Sequence, residues 1–220
     1  MQRILLYGAT GRTGGLILDY ALTQGYAVTA LVRSPAKLRR QSPYLIVIAG
    51  SPTNLADVRR AMTGCDAVIS ALSALSEPES FSLKKLTPPY TLATTIRHTI
   101  TVMKELGIRR IVTLSSIGAG DSRPYAPWYM RLIIRLTNFK LVFADHDAQE
   151  TLLRQSGLEW VIARPVALTD KDQPGQLVVE YQRLPAPFAI SRRQLARFMV
   201  DSLRSDTYLH QAPLLAERPV

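Results

Sequence analysis

Residues 4–14 read ILLYGATGRTG, an apolar run that leads directly into three evenly spaced glycines. Apolar residues at helical spacing follow, and Gly25 is a typical helix stop. Glycine permits a tight turn and lets backbone N–H groups approach a pyrophosphate, while the N-terminus of the next helix favours anions. The order strand, glycine loop, helix therefore predicts a dinucleotide-binding site, since a purely structural turn does not require three glycines.

The end of the second predicted strand, Ala27–Val32, indicates which dinucleotide binds. An acidic residue there would bind a free ribose 2′-hydroxyl, whereas arginine would bind a 2′-phosphate. Residues 31–40 contain no Asp or Glu, and their cations are Arg33, Lys37, Arg39 and Arg40. We therefore predict NADP(H) as the cofactor, with Arg33 on the 2′-phosphate, Ser34 as an extra hydroxyl and Arg12 approaching from the loop. Charge runs are usually solvated, and we expect this of Arg39 and Arg40.

Strands and helices alternate along the rest of the chain. Further strands are predicted at 45–49, 67–72, 110–114 and 160–163, and Ser191 with Gln194 predicts a capping box for a last helix. This pattern predicts an α/β fold, a Rossmann-type doubly wound parallel sheet with helices on both faces, as a single domain over residues 1–220. Ligands of such folds bind beyond the carboxyl ends of the strands, where Ser115, Ser116 and Arg164-Pro165 lie. The serines either bind a ligand or satisfy loop backbone groups.

Composition limits the function classes. The 220 residues are 47% hydrophobic, contain one cysteine, Cys65, and show no His/Cys spacing typical of a metal site. A strand begins within three residues of the N-terminus and no apolar run reaches membrane-span length, so we expect a cytoplasmic protein without a membrane span. The net charge of +10 is spread over paired cations, which predicts attraction of an anionic cofactor rather than specific nucleic-acid binding.

An apolar segment near residues 123–136 stands out. At helical spacing it places Trp128, Tyr129, Leu132, Ile133 and Leu136 on one face, with Met130 and Ile134 on the other. Core packing is the first expectation for this face. A lid over the substrate pocket, a dimer contact or a membrane-touching surface are alternatives, and the sequence leaves monomer and homodimer both open.

Five segments together resemble the atypical short-chain dehydrogenase/reductases. They are GATGRTG at 8–14, LVRS at 31–34, TGCDAVI at 63–69, SGLEWVIARP at 156–165 and ISRRQLARFM at 190–199. Within that group the chain is most similar to the NAD(P)H-binding family that includes biliverdin reductase B, a flavin reductase, and the NmrA-like proteins. The resemblance covers nearly the whole chain.

This resemblance implies roles for individual residues. Those expected to hold the cofactor phosphates are Gly8, Thr10, Gly11, Arg12, Thr13 and Gly14, and Arg33 again takes the 2′-phosphate. Ala71, Leu72 and Ser73 would lie along the adenosine and its ribose. Ser116 would flank the nicotinamide with Ser115 beside it, and Pro165 and Val166 would close that side of the pocket. Ser51 stands where many relatives have an adenine-contacting Asp.

The usual catalytic Tyr-x-x-x-Lys is absent, because no tyrosine has a lysine four residues later. Val142 and His146 stand at the Tyr and Lys positions. Hydride transfer to a flavin or quinone-like acceptor needs no strong acid, so a broad NADPH-dependent reductase is the predicted activity, with Ser116 and His146 as catalytic candidates. Asp145 and Asp147 would hold His146 protonated, unless it is a helix-start histidine that faces solvent. The alternative function is a non-catalytic NADP(H) sensor of NmrA-like type; an epimerase is disfavoured.

Overall fold

The computed structural model describes residues 1–73, 79–80 and 90–218. Its strands are β1 (Arg3–Tyr7), β2 (Ala27–Val32), β3 (Leu45–Ala49), β4 (Ala67–Ser70), β5 (Arg110–Leu114), β6 (Glu159–Pro165), β7 (Leu168–Thr169), β8 (Gln176–Glu180), β9 (Ile190–Ser191) and β10 (Leu214–Arg218). Its α-helices are α1 (Arg12–Thr23), α2 (Leu55–Met62), α3 (Thr91–Leu106), α4 (Trp128–Leu136), α5 (Phe139–Arg154) and α6 (Arg192–Asp201), and 3-10 turns lie at Pro35–Lys37 and Gly120–Tyr125.

The main sheet has the strand order β3-β2-β1-β4-β5-β6-β10-β8. Neighbouring strands are parallel except for β8, which pairs antiparallel with β10. A second, two-stranded sheet joins β7 and β9. This is the predicted Rossmann-type doubly wound fold. The strand order reverses between β1 and β4, and the crevice beyond the carboxyl ends of these strands is where dinucleotides bind in such sheets.

The central strand β1 is buried on both faces. Ile4 and Leu6 belong to the core cluster that includes residues of α1 and α6, while Leu5 and Tyr7 belong to the cluster with residues of α2, α3 and α5. Successive side chains of a strand point to opposite faces, so a strand covered by helices on both sides needs apolar residues throughout. This explains the unbroken apolar run that precedes the glycines.

Side chains fix the ends of two helices that border the crevice. The Oγ of Ser191 accepts a hydrogen bond from the N–H of Gln194 at 3.0 Å, which is the predicted cap at the start of α6. The buried carboxylate of Asp145, on α5, accepts hydrogen bonds from the N–H groups of Leu92 and Ala93 at 2.8 and 2.9 Å. Asp145 therefore caps α3 from a neighbouring helix, which joins the two helices on one side of the sheet.

The apolar face near residues 123–136 forms α4, but it lies outside the core. Met130 and Ile134 are half-buried, whereas the other face is exposed by 39 to 71% at Trp128, Tyr129, Leu132, Ile133 and Leu136. Core packing was thus the wrong expectation for these five side chains. Among the helices of the described ranges, none is long and apolar enough to cross a membrane.

Candidate active site

The glycine loop lies against the end of β4 at a distance that only glycine permits. Gly8 has a φ of +83°, and a Cβ there would lie 2.5 Å from the carbonyl oxygen of Ala71. A Cβ on Gly14 would overlap the carbonyl oxygen of Gly8, and the N–H of Gly11 donates to that same oxygen at 2.9 Å. The three glycines therefore build one compact turn, because a side chain at Gly8 or Gly14 would collide with backbone atoms of the turn or of the segment after β4.

The N-terminus of α1 opens at this turn. Its N-cap residue is Gly11, which offers no side-chain cap, and its first turn has no acidic residue. Thr10 and Arg12 are exposed while Thr13 is buried. The first N–H groups of an α-helix have no partner within the helix and carry partial positive charge. The loop and helix start, which we call the cradle, thus present partial positive charge of the kind that suits a pyrophosphate.

A basic cleft of about 400 Å³ adjoins the cradle. Its walls include Thr10 and Gly11 on the loop side, and Lys37, Arg39 and Arg40 on the other. Arg33 and Ser34 are exposed directly after β2, which pairs with β1. Arg39 and Arg40 are exposed as expected, but their position beside the glycine loop was missed in the sequence. Arg40 is held there by Asp19 of α1, whose Oδ1 accepts from its Nε at 2.6 Å.

Arg12 is held at the edge of the cradle by an acidic residue from far along the chain. Its guanidinium bonds one carboxylate oxygen of Asp170, which follows β7, and Arg192 at the start of α6 donates to the other oxygen at 2.8 Å. Asp170 thus joins the glycine loop to α6. Sequence reasoning missed this residue, because 158 positions separate it from Arg12.

The residues implied for adenosine lie beyond the ends of β3 and β4. The backbone N–H of Ser51 donates to Asp57 of α2 at 2.9 Å, and the Ser51 hydroxyl bonds that of Thr53 at 2.8 Å. Ala71 and Leu72 are half-buried and Ser73 is exposed. The structure therefore places these residues along the same edge of the sheet as the glycine loop.

The two serines after β5 have different surroundings. Ser115 is buried and donates its hydroxyl to Oε1 of Glu150 at 2.7 Å. Ser116 is half-buried, and its hydroxyl bonds the carbonyl of Ile117 at 3.2 Å. Because Glu150 already engages Ser115, Ser116 is the better placed of the two to turn toward a ligand.

Pro165 ends β6 and Val166 follows it, beside these serines. The carbonyl oxygen of Pro165 accepts from the N–H of Ile117 at 3.1 Å, which ties the two strand ends together. Both residues are buried, and Val166 belongs to the core cluster that includes α1 and α6.

A buried ion pair contacts the segment of Ser115 and Ser116, which we call the serine loop. Arg164 of β6 donates to both carboxylate oxygens of Glu150, its Nε to Oε1 at 3.0 Å, and each side chain is only 3% exposed. Arg164 also pairs with Asp121 at 2.6 Å. Burial opposes ionisation of Asp121, but the charge and hydrogen bond of Arg164, with the charge of Arg154, outweigh it and lower the pKa of Asp121. The network fixes the positions of Ser115 and of the loop that follows it.

His146 lies in the middle of α5 and is buried, next to the ring of Phe143 at 6.3 Å between centroids. Burial lowers the pKa of His146 to about 4, and the charges of Asp145 and Asp147 raise it too little to compensate. The expectation that these carboxylates keep His146 protonated is therefore wrong, and so is the alternative of a solvent-facing histidine at a helix start. Its Nδ1 has no hydrogen-bond partner among the described residues.

We expect His146 to make the protein acid-sensitive. The native state resists protonation of His146 down to about pH 4, whereas an unfolded histidine takes up its proton near pH 6.5. Stability is therefore lost as the pH falls between these values, at up to about 1.4 kcal/mol per pH unit. Urea unfolding of wild type and His146→Gln across this range measures the effect. As the pH decreases, the free energy of unfolding of wild type should decrease more than that of the variant. Parallel plots of unfolding free energy against pH would contradict the lowered pKa of His146.

Comparisons with known proteins agree with this geometry. An uncharacterized chloroplastic protein of Arabidopsis thaliana is 27% identical over 210 residues, which cover 92% of this chain and 72% of that protein. The anaerobilin reductase ChuY of Escherichia coli O157:H7 superposes with a TM-score of 0.80 at 20% identity, over 100% of this chain and 98% of that one. A short-chain dehydrogenase/reductase of Veillonella parvula, solved with NADP, has a TM-score of 0.74 at 17% identity, over 98% and 94% of the two chains.

The structural likeness establishes the fold, and the sequence establishes the family. The profile of the NAD(P)H-binding family matches residues 8–206, which begin at the first glycine of the loop and extend past α6. That range includes the cradle, the basic cleft and both serines. The chain therefore belongs to the NAD(P)H-binding family.

Proposed function

We propose that the protein is an NADPH-dependent reductase of broad specificity that reduces a flavin, quinone-like or other conjugated acceptor. One observation carries this proposal: the nucleotide cradle is intact, while α5 holds buried Val142 and a buried, neutral His146 where related enzymes hold Tyr and Lys. Reduction of a carbonyl needs a proton donor at the reacting oxygen. A conjugated ring system that accepts hydride can take its proton from solvent, so it does not need that pair.

The residues of the cradle fit NADP(H). Gly8 and Gly14 allow a tight turn that any Cβ would disrupt, and the uncapped N-terminus of α1 suits a pyrophosphate. We assign the 2′-phosphate to Arg33, with Arg12 and the cations of the adjoining cleft contributing to the local positive field. When bound, NADPH supplies the hydride.

The remaining side chains hold and shield the reactants. We assign to the Ser116 hydroxyl a hydrogen bond to the nicotinamide side of the cofactor, since it is half-buried at the strand end. Ser115, tied to Glu150, fixes the loop rather than the ligand. Pro165 and Val166 keep water from one wall of the crevice, and His146 contributes at most a neutral hydrogen bond at physiological pH. The name of ChuY, an anaerobilin reductase, supports reduction of a conjugated acceptor by a protein of this fold.

Cofactor choice has a direct test in Arg33→Ala. Loss of the charged pair with the 2′-phosphate should weaken NADPH binding by about ten- to hundredfold, because hydrogen bonds to charged groups contribute about 1.5–3 kcal/mol. NADH, which lacks that phosphate, should bind the variant almost as well as wild type. Titration calorimetry with both cofactors measures the difference, and equal losses would refute the assignment.

Steady-state NADPH oxidation tests the reaction itself. Addition of FMN or a simple quinone should accelerate NADPH consumption by the purified protein well above the rate without acceptor. Ser116→Ala should lower kcat, whereas His146→Gln should leave the pH profile near neutrality unchanged, since His146 carries no proton to lose there. Tight NADPH binding without acceptor-dependent turnover would instead indicate a cofactor-sensing regulator.

A further inference from the structure

The outward face of α4 is an apolar strip of five large side chains. We call these residues the α4 strip: Trp128, Tyr129, Leu132, Ile133 and Leu136. Their helical positions cover an arc of about 140°. Trp128 is the most exposed of them, at 71%. Single exposed apolar residues are common on proteins, but a contiguous group of this kind marks an interaction surface.

The opposite face of α4 already attaches the helix to the protein. Met130 packs against the core cluster. Ile134 lies next to Gly118, two residues after Ser116: a Cβ built on Gly118 would be 3.6 Å from the Cδ1 of Ile134. A helix that served only to cover the core would carry polar residues on its outer face. The α4 strip is therefore not needed for folding, and it lies beside the proposed active site.

Along the chain, the residues that flank the strip carry only positive charge. Residues 122–144 contain no Asp or Glu, and their cations are Arg123, Arg131, Arg135 and Lys140. Arg131 and Arg135 adjoin the strip on the helix surface, next to Trp128, and neither has an ion-pair partner among the described residues. Arg123 pairs with Asp147. The surface thus combines an apolar strip with an unneutralised basic edge.

We propose that α4 docks in the plane of an anionic lipid bilayer, with the α4 strip in the interfacial layer and Arg131 and Arg135 among the headgroups. Aromatic residues favour that layer, and a basic amphipathic helix binds anionic lipid through both its apolar area and its charge. Nine residues span only about 14 Å, so the helix lies on the bilayer and does not cross it.

The basic edge also argues against a second copy of the chain as the occupant. In a two-fold symmetric dimer the same patch meets itself, so Arg131 and Arg135 of both copies would approach each other, and residues 122–144 supply no acidic side chain to pair with them. Anionic headgroups neutralise the same charges. The choice of lipid over a second copy therefore rests on charge complementarity, and it does not depend on the proposed reductase activity.

Vesicle co-sedimentation of the full chain tests the proposal. We expect binding to phosphatidylcholine vesicles that contain phosphatidylglycerol, and little binding to phosphatidylcholine alone. Leu132→Glu should weaken partitioning about tenfold. The matched control is Leu184→Glu, which introduces the same charge at an apolar residue of similar exposure, 43% against 47%, and should bind nearly as wild type. If both variants lost vesicle binding equally, the loss would come from the added negative charge alone, and the proposal would be overturned.

Two further readouts identify the occupant. The chain has two tryptophans, so Trp160→Phe leaves Trp128 as the only one, and its selectively excited fluorescence should shift to shorter wavelength with anionic vesicles. NADPH affinity should be the same in Leu132→Glu as in wild type, which shows that the fold is intact. If light scattering shows a dimer that Leu132→Glu dissociates, and no variant or wild type binds vesicles, the strip is a protein interface and the lipid proposal is wrong.

Discussion

Gly14→Ala is expected to abolish NADP(H) binding, with an affinity loss of at least about a hundredfold. A Cβ at this position would overlap the carbonyl oxygen of Gly8 and would come within 2.5 Å of its carbonyl carbon. The loop must open to admit the methyl group, which moves the first N–H groups of α1 away from the pyrophosphate. Fluorescence titration with NADPH measures the loss.

Gly15→Ala is the matched control for that change. It adds the same methyl group one residue further along α1, where the nearest heavy atom, the carbonyl oxygen of Ala9, is 3.7 Å away. Alanine is the better helix former by about 0.5–1 kcal/mol, so this variant should melt at a slightly higher temperature and, although Gly15 lines the basic cleft, should bind NADPH far more tightly than Gly14→Ala. Normal binding by Gly14→Ala would show that the glycine loop is not the cofactor cradle.

Arg164→Met should lower the free energy of unfolding by about 3–5 kcal/mol. The substitution leaves the Glu150 carboxylate buried without its counter-ion, which is far costlier than the loss of an exposed pair. Urea unfolding measures this change. The double variant Arg164→Met, Glu150→Met should recover much of the loss, because it removes the uncompensated charge.

The exposed pair Arg59–Glu105 provides the comparison. Arg59 bonds both carboxylate oxygens of Glu105 at 2.9 Å, yet both side chains are solvated, so Arg59→Met should change stability little. If Arg164→Met lowered the free energy of unfolding as little as Arg59→Met, the buried network would not stabilise the serine loop. Because Glu150 also binds Ser115, the Arg164 variant is further expected to weaken NADPH binding through movement of that loop.

Local features of the site could be predicted from the sequence because they depend on neighbouring residues. The turn at Gly8 and the cap at Ser191 involve partners a few positions away, and the apolar run before the glycines reflects a strand buried on both faces. Asp170 and the pair Glu150–Arg164 could not be found in this way, because their partners become neighbours only when the sheet has formed. The strands β8 and β10 were missed for the same reason: their pairing at the sheet edge is fixed by the complete fold.

Helical periodicity alone does not show which face of a helix is covered. It predicted a helix in the 123–136 segment, yet the smaller pair Met130 and Ile134 faces the protein while Trp128 and its neighbours face outward. For His146, too, the sequence did not show whether the side chain is buried, and its acidic neighbours along the chain suggested a protonated imidazole. Asp145 instead points to the start of α3, and burial determines the protonation state of His146.

Anaerobic single-turnover mixing of the NADPH-loaded protein with FMN is a direct test of the proposed reductase activity. A hydride delivered to N5 of the flavin and one proton from solvent would convert FMN to its reduced form and NADPH to NADP⁺, so NADPH and FMN absorbance should fall together, with equal amounts consumed. The account predicts this coupled loss for wild type and its absence for Gly14→Ala. Wild-type protein that binds NADPH tightly but leaves both absorbances unchanged, with FMN and then with a simple quinone, would contradict it.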